Sequence, residues 1–283
     1  MKIIFFGTPQ EVVPVLETLT EQFAIVAVVT TSDQKSGRKQ TLTSTPVKVF
    51  AKDKTIPVIT PPQFTDEILK QLQNFKPDLY VVTAYGKIIP NDILHIPKYG
   101  AINIHPSLLP HYRGPTPLQT TILNGDKRSG LTFMKVDERM DHGPILHQMP
   151  FTLENTDTFG WLMQSKFALA AQILPHVIEE YVSGKLIPQP QDESLASYTK
   201  MIDKQDGYID MNNPPQKEQL DRMIRAYYPW PTVWTKTKIN NREMTIKFLP
   251  KQKLQVEGKK PVAIKDFLNG YPEMKEKLEK IFT

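Results

Sequence analysis

The chain has 283 residues, 35 basic and 30 acidic side chains, 25 prolines, 13 glycines and no cysteine. At roughly 150 residues per domain, that length fits one large or two modest domains with a core that needs no disulfide or metal. The cysteine count excludes a disulfide framework, a thiolate nucleophile, a Cys-based zinc site and an iron–sulfur cluster. Charge is uneven: residues 236–283 hold 12 Lys/Arg against 6 Asp/Glu, which leaves the first 235 residues near neutral. Such a basic region reads either as a solvated surface or as a site for a polyanion. The longest apolar run, residues 23–29, has seven residues, far short of the ~18 a membrane span needs. The first residues lack the apolar core of a secretory signal, so a cytoplasmic protein is expected.

Short apolar runs alternate with helical stretches. Residues 2–6 read as a first strand and 12–19 as a helix entered through Thr8-Pro9, since proline suits a first helical turn. A strand over 24–30 is followed by a polar stretch, 31–46, that carries Lys35, Gly37, Arg38 and Lys39. Residues 46–52 then read as helix, 58–59 as strand and 65–75 as helix, with Thr65 as N-cap. Further strands fall at 79–83 and 100–104. This alternation predicts an α/β fold, a parallel sheet with helices on both faces. Strands over 131–136 and 145–150 flank the turn 137–143. Apolar residues at helical spacing predict one helix over 158–183, kinked at Pro175. Residues 184–215, rich in Pro, Gln, Asp and Ser, read as connecting chain. A helix over 215–226 and strands over 232–239 and 243–249 predict a small β-rich second domain. The expected boundaries are 1–185, a linker over 186–206, and 207–283.

The densest chemical candidate is the stretch from Gly100 to Pro117. Asn103 and His105 lie two apart on a strand, so both side chains leave one face. At the carboxyl end of a parallel strand, where ligands bind, an amide donor and an imidazole can polarise a carbonyl and handle a proton. Taken alone, the pair reads sooner as a half-buried histidine beside a turn former. Asp141, before His142-Gly143-Pro144, would orient such an imidazole; its alternative is a solvated acidic turn. Asp137, Glu138, Asp141, His142 and His147 match no metal-ligand spacing. Ser107 is not in a nucleophile elbow. Tyr227, Tyr228, Trp230 and Trp234 either stack on bases or close a small core, and core is the expectation for the two tryptophans.

Gly7-Thr8-Pro9, the block Asn103-Ile-His105-Pro-Ser107-Leu-Leu-Pro110 with Tyr112-Arg113-Gly114-Pro115, and Met140-Asp141-His142-Gly143 together resemble the 10-formyltetrahydrofolate-dependent formyltransferases. Gly37-Arg38-Lys39 before Pro46-Val-Lys-Val49, and Ile224-Arg-Ala226 with Pro229-Trp-Pro231 and Trp234, extend the resemblance over nearly the whole chain. They point to members that formylate methionine esterified to tRNA. The resemblance implies a Rossmann-like, mostly parallel sheet (the formyltransferase fold) and a smaller OB-like C-terminal domain. The short stretch after Phe248 predicts that this domain is truncated.

The resemblance also implies transfer of the formyl group of 10-formyltetrahydrofolate to the α-amine of initiator methionyl-tRNA. The implied catalytic residues are Asn103, His105 and Asp141. The implied folate contacts are Ser107, Leu108, Leu109, Pro110, Ile88 and Ile89. Lys35, Arg38 and Lys39 are the implied tRNA contacts, with no metal, no membrane and a monomeric chain. An amino-sugar nucleotide is the alternative acceptor. His142 stands where relatives often carry Thr, and Pro144 where they often carry Asp.

Overall fold

The run Ile3–Phe6 is fully buried and builds the centre of the larger sheet. The computed structural model describes residues 1–36, 41–239 and 242–282. Strand β1 (Lys2–Gly7) leads through a short 3-10 turn into helix α1 (Val13–Gln22). There follow β2 (Ala24–Val29), a hairpin of β3 (Gln34–Ser36) and β4 (Thr41–Thr43), α2 (Pro46–Asp53), β5 (Val58–Ile59) and α3 (Asp66–Asn74). Next are β6 (Leu79–Thr83), α4 (Asn91–Leu94), β7 (Ala101–His105), α5 (Pro117–Asn124), β8 (Arg128–Lys135), β9 (Ile145–Thr152) and α6 (Phe159–Val182), which runs through Pro175. The Thr65 side chain accepts the Ile68 N–H and caps α3 as expected, filling one of the orphan donors of a helix start.

Among the described residues this sheet has seven strands in the order β5-β2-β1-β6-β7-β8-β9. The first five are parallel neighbours, and β8 runs antiparallel to β7. The chain moves outward from β1 to β2 and β5, then returns to β6 on the other side of β1. That reversal opens a crevice at the carboxyl ends of β1 and β6, the place where open α/β sheets bind ligands. Register fixes its floor: Gly7 on β1 is level with Thr83 on β6, and Val82 is level with Asn103 on β7.

Contacts divide the chain into two units. The first comprises Met1–Arg113, Gly130–Pro150 and Met163–Tyr198; the second comprises Gly114–Ser129, Phe151–Leu162 and Thr199–Thr283. The first holds the core of Ile4, Phe6, Val29, Leu72, Tyr80 and Tyr85. The Phe6 ring lies edge-on to both tyrosines, at 5.0 and 5.4 Å, a geometry that pairs ring edge with ring face. Burial pushes the Tyr85 phenol up to about 12, so it stays neutral.

In the second unit, α7 (Lys217–Ala226) packs against α5, and Arg222 donates to the Asn124 carbonyl at 3.3 Å. A four-stranded antiparallel sheet follows: β10 (Val233–Ile239), β11 (Arg242–Leu249), β12 (Lys253–Val256) and the two-residue β13 (Val262–Ala263). This is the small β-rich C-terminal domain expected from the sequence. Two further helices, α8 (Ile264–Gly270) and α9 (Lys275–Phe282), were not foreseen. They bury Phe267, Leu278 and Ile281, and the Phe282 ring lies 6.1 Å from Phe248 of β11. Their lysines and glutamates read as a charged tail, yet Leu278 and Ile281 sit three apart and form one apolar stripe.

Trp230 corrects another expectation. It is 57% exposed, at the outer part of the loop that the Thr232 N–H closes onto the Tyr227 carbonyl. Trp234 is anchored: its indole N–H donates to the Lys204 carbonyl at 2.9 Å, and its ring meets Tyr208.

The turn between β8 and β9 is held where Lys135 N–H donates to Pro144 O and Val136 N–H to Ala101 O, both at 2.9 Å. A Cβ on Gly143 would lie 1.9 Å from the Lys135 carbonyl oxygen. That oxygen belongs to a sheet strand and cannot retreat. Gly143→Ala is therefore expected to displace the turn and to cost about 1–3 kcal/mol of stability. The urea unfolding midpoint checks it, and an unchanged midpoint would contradict the packing described.

Candidate active site

The site grows from the carboxyl end of β7. Asn103 and His105 alternate with buried Ile102 and Ile104, so the pleat sends both polar side chains to the same face. Pro106 has no N–H to continue the ladder, and the chain turns away. The turn that follows is tied from β8 and β9. Thr132 Oγ1 donates to Ser107 O at 2.6 Å and accepts the Leu109 N–H at 3.2 Å. Gln148 Nε2 donates to Leu109 O at 2.8 Å and to Thr132 Oγ1 at 2.9 Å. Ser107 Oγ donates to His111 O at 2.6 Å. Ser107 and Leu109 are thus interior parts of the turn, while Leu108 and Pro110 are half-buried.

His105 is only 4% exposed. Its Nε2 lies 2.9 Å from the Tyr112 carbonyl. A carbonyl only accepts, so Nε2 carries the hydrogen in this arrangement. Nδ1 is the nitrogen left to gain or lose a proton, and it faces Asp141 Oδ1 at 3.6 Å. Both residues that flank the ring have left-handed backbones, Tyr112 at φ 54° and Asp141 at φ 50°. That conformation is uncommon for non-glycine residues and collects at functional sites. The structure therefore brings His105 and Asp141 together, with Asn103 on the same strand face.

Two more loops reach this edge of the sheet. Thr8 Oγ1, after β1, donates to Tyr85 O, after β6, at 3.0 Å. Beyond Gly86 the side chains of Ile88 and Ile89 part. Ile88 is 82% exposed, whereas Ile89 belongs to the core cluster. Of the basic loop, Lys35 lies in β3 with its backbone opposite Leu42. Arg38 and Lys39 lie outside the described residues. The base of that loop is tied by Lys48 Nζ to Asp33 at 2.7 Å, which holds the Asp33 carboxyl below its usual range.

Around Asp141 lies a set of side chains that includes Gln191, Glu193 and Tyr198, which the sequence did not single out. Arg113, 1% exposed, donates to Gln191 Oε1, to both carboxylate oxygens of Glu193 and to the Tyr198 hydroxyl. Gln191 Nε2 in turn donates to the carbonyls of Asp141 at 2.9 Å and Gly143 at 2.8 Å. His142 Nδ1 meets Asp137 Oδ2 at 2.6 Å, and its Nε2 lies 3.1 Å from Glu193. The Arg113 hydrogen bonds hold Glu193 below the ordinary glutamate range. A run of Pro, Gln, Asp and Ser carries no sequence signal for such a role. Among the described residues, no group of three or more His, Asp or Glu is placed to hold a metal ion.

Arranged this way, the site has an amide and an imidazole–carboxylate pair at the mouth of the crevice. That set can hold an oxyanion and transfer a proton.

Residues 1–178 match the family model described as formyl transferase, and residues 201–252 match formyl transferase, C-terminal domain. The chain is 42% identical over 240 residues to methionyl-tRNA formyltransferase of Roseiflexus sp. strain RS-1, covering 83% of this chain and 73% of that protein. The protein of that name from Chloroflexus aggregans is 44% identical over 237 residues, covering 83% and 76%. The one from Herpetosiphon aurantiacus is 43% identical over 252 residues, covering 87% and 80%. Among solved structures, a sugar N-formyltransferase from a Shewanella species superposes with a TM-score of 0.67 at 16% identity, over 89% of this chain and 98% of that one. HypX from Aquifex aeolicus gives 0.63 at 15%, over 96% of this chain and 48% of that one. Those two likenesses concern the fold. The first family model alone covers more than half of the chain and the curated relatives match most of it, so the chain belongs to the formyl transferase family.

Proposed function

We propose that the protein transfers the formyl group of 10-formyltetrahydrofolate to the α-amino group of methionyl-tRNA. The observation that carries the chemistry is the buried His105. Its Nε2–H is committed to the Tyr112 carbonyl, and its Nδ1 is aimed at Asp141. The acceptor is supported by curated relatives named for that substrate at 41–44% identity. Neighbours described as sugar formyltransferases resemble the chain only at the level of fold.

When bound, 10-formyltetrahydrofolate supplies a carbon at the formyl oxidation level on N10, and transfer replaces that N–C bond by an amide. The residues present fit such a group. Ile88, after β6, offers an uncovered apolar side chain as a suitable face for a flat heteroaromatic ring, while Ile89 lies in the core. The Asn103 amide is the donor for the oxygen that gains charge as the amine adds. His105 takes the amine's proton on Nδ1, and Asp141 is the counter-charge of the ring in that state. A proton is returned to N10 as its bond to carbon breaks. Holding both substrates on one strand end converts a bimolecular encounter into a near-unimolecular one.

Residues 1–185 are the catalytic part in this reading, 186–206 the connection and 207–283 the part that adds affinity for nucleic acid. Lys35, Arg38 and Lys39 approach the acceptor end, and the basic C-terminal region adds long-range attraction.

The direct test is transfer of labelled formyl from 10-formyltetrahydrofolate to methionyl-tRNA, with uncharged tRNA and an amino-sugar nucleotide in parallel. Labelling of the sugar alone would sink the reading. His105→Ala is expected to lower kcat by at least ~10²-fold while folate binding, followed by calorimetry, persists. The affinity for tRNA should fall linearly in log Kd against log salt between ~50 and ~200 mM. A flat filter-binding response would remove the basic region from the interface.

A further inference from the structure

The two groups that orient His105 are both held by one short segment. Residues 189–198 run past the site. Gln189 exchanges backbone hydrogen bonds with Ile145 at 2.7 and 2.8 Å, which fixes the segment to the start of β9. Ser197 N–H donates to Pro110 O, and Ser197 O accepts the Arg113 N–H. Ser197 Oγ accepts the Tyr112 N–H at 2.8 Å. Tyr112 is the residue whose carbonyl accepts from His105 Nε2. Six residues earlier, Gln191 Nε2 holds the carbonyls of Asp141 and Gly143. One end of the imidazole axis is therefore referred to Ser197 and the other to Gln191.

From this placement we infer that Gln191, oriented by the buried guanidinium of Arg113, and Ser197 are positioning residues. Together they set the alignment of His105 with Asp141. Arg113 suits the task because its planar fork serves Gln191, Glu193 and Tyr198 at once, which a lysine ammonium cannot do. Without the Gln191 donor, the Asp141 carbonyl loses its anchor. The 3.6 Å separation of the pair then loses one of the bonds that hold it, at a residue whose left-handed backbone is costly to maintain. Neither Gln191 nor Ser197 faces the reacting atoms; each acts through the backbone of a neighbour.

The inference rests on the catalytic roles proposed for His105 and Asp141, so Asp141→Asn is measured beside the Gln191 variants. Gln191→Ala is expected to lower kcat in the formyl-transfer assay by about 10–100-fold, the scale of a small misplacement of a reacting group. The KM for folate and for methionyl-tRNA should stay within about twofold, because substrate binding is not what the residue supports. In an Asp141→Asn background the same change should cost nothing further, since Gln191 acts through Asp141. Gln191→Glu keeps an acceptor for Arg113 but has no donor for the two carbonyls. It carries the same expected loss and decides the matter if the alanine variant folds poorly.

An unchanged kcat, a rise in KM alone, or a full multiplicative loss in the Asp141→Asn background would each overturn the inference. A fully active Asp141→Asn would instead overturn the catalytic reading beneath it.

Discussion

Everything at the site depends on the parallel register of β1, β6 and β7. Because Gly7 is level with Thr83 and Val82 with Asn103, the loops after β1, β6 and β7 leave the sheet at one edge. The reversal of strand order beside β1 then leaves a crevice between loops that diverge. Hydrophobic burial of Ile3–Phe6, Leu79–Val81 and Ile102 holds that register. A slip of one residue would send His105 to the opposite face of the sheet. The chemistry is therefore only as well placed as the core is well packed.

The fold was largely legible in the sequence because buried parallel strands read as short apolar runs. Strands 2–6, 79–83 and 58–59, the Thr65 cap and the long helix through Pro175 all have strong local signals, and they appear within a residue or two. Local signals were weak where the misses fell. Helix α5 begins at Pro117 inside a stretch dominated by proline, and α9 hides two buried apolar residues among lysines and glutamates. Trp230 was expected inside because tryptophan usually closes small cores; the closure of its loop puts it outside.

The site itself was half legible. Asn103 and His105 are two apart on one strand, so their common face follows from pleating alone. Asp141 stood as a candidate on its His-Gly-Pro turn, with a solvated acidic turn as the alternative, and only the resemblance paired it with His105, because 36 positions of chain separate the two and no local rule measures that distance. Gln191 and Ser197 lay beyond both kinds of reasoning. Their role is to hold backbone carbonyls and amides, and any polar side chain of the right length has that capacity. Only coordinates reveal which carbonyl is within reach.

The Arg113–Glu193 pair sets how far the segment that carries Gln191 withstands acid. Guanidinium stays charged across the whole working range, and its hydrogen bonds hold the Glu193 carboxyl below its usual value. A depressed carboxylate contributes its stabilisation above its unfolded value, and that contribution is lost only as pH falls through the lower folded one. The ion pair that frames Gln191 thus persists into acid below the ordinary glutamate range, so the segment keeps its hold on the carbonyls of Asp141 and Gly143 after unpaired glutamates have taken up their protons.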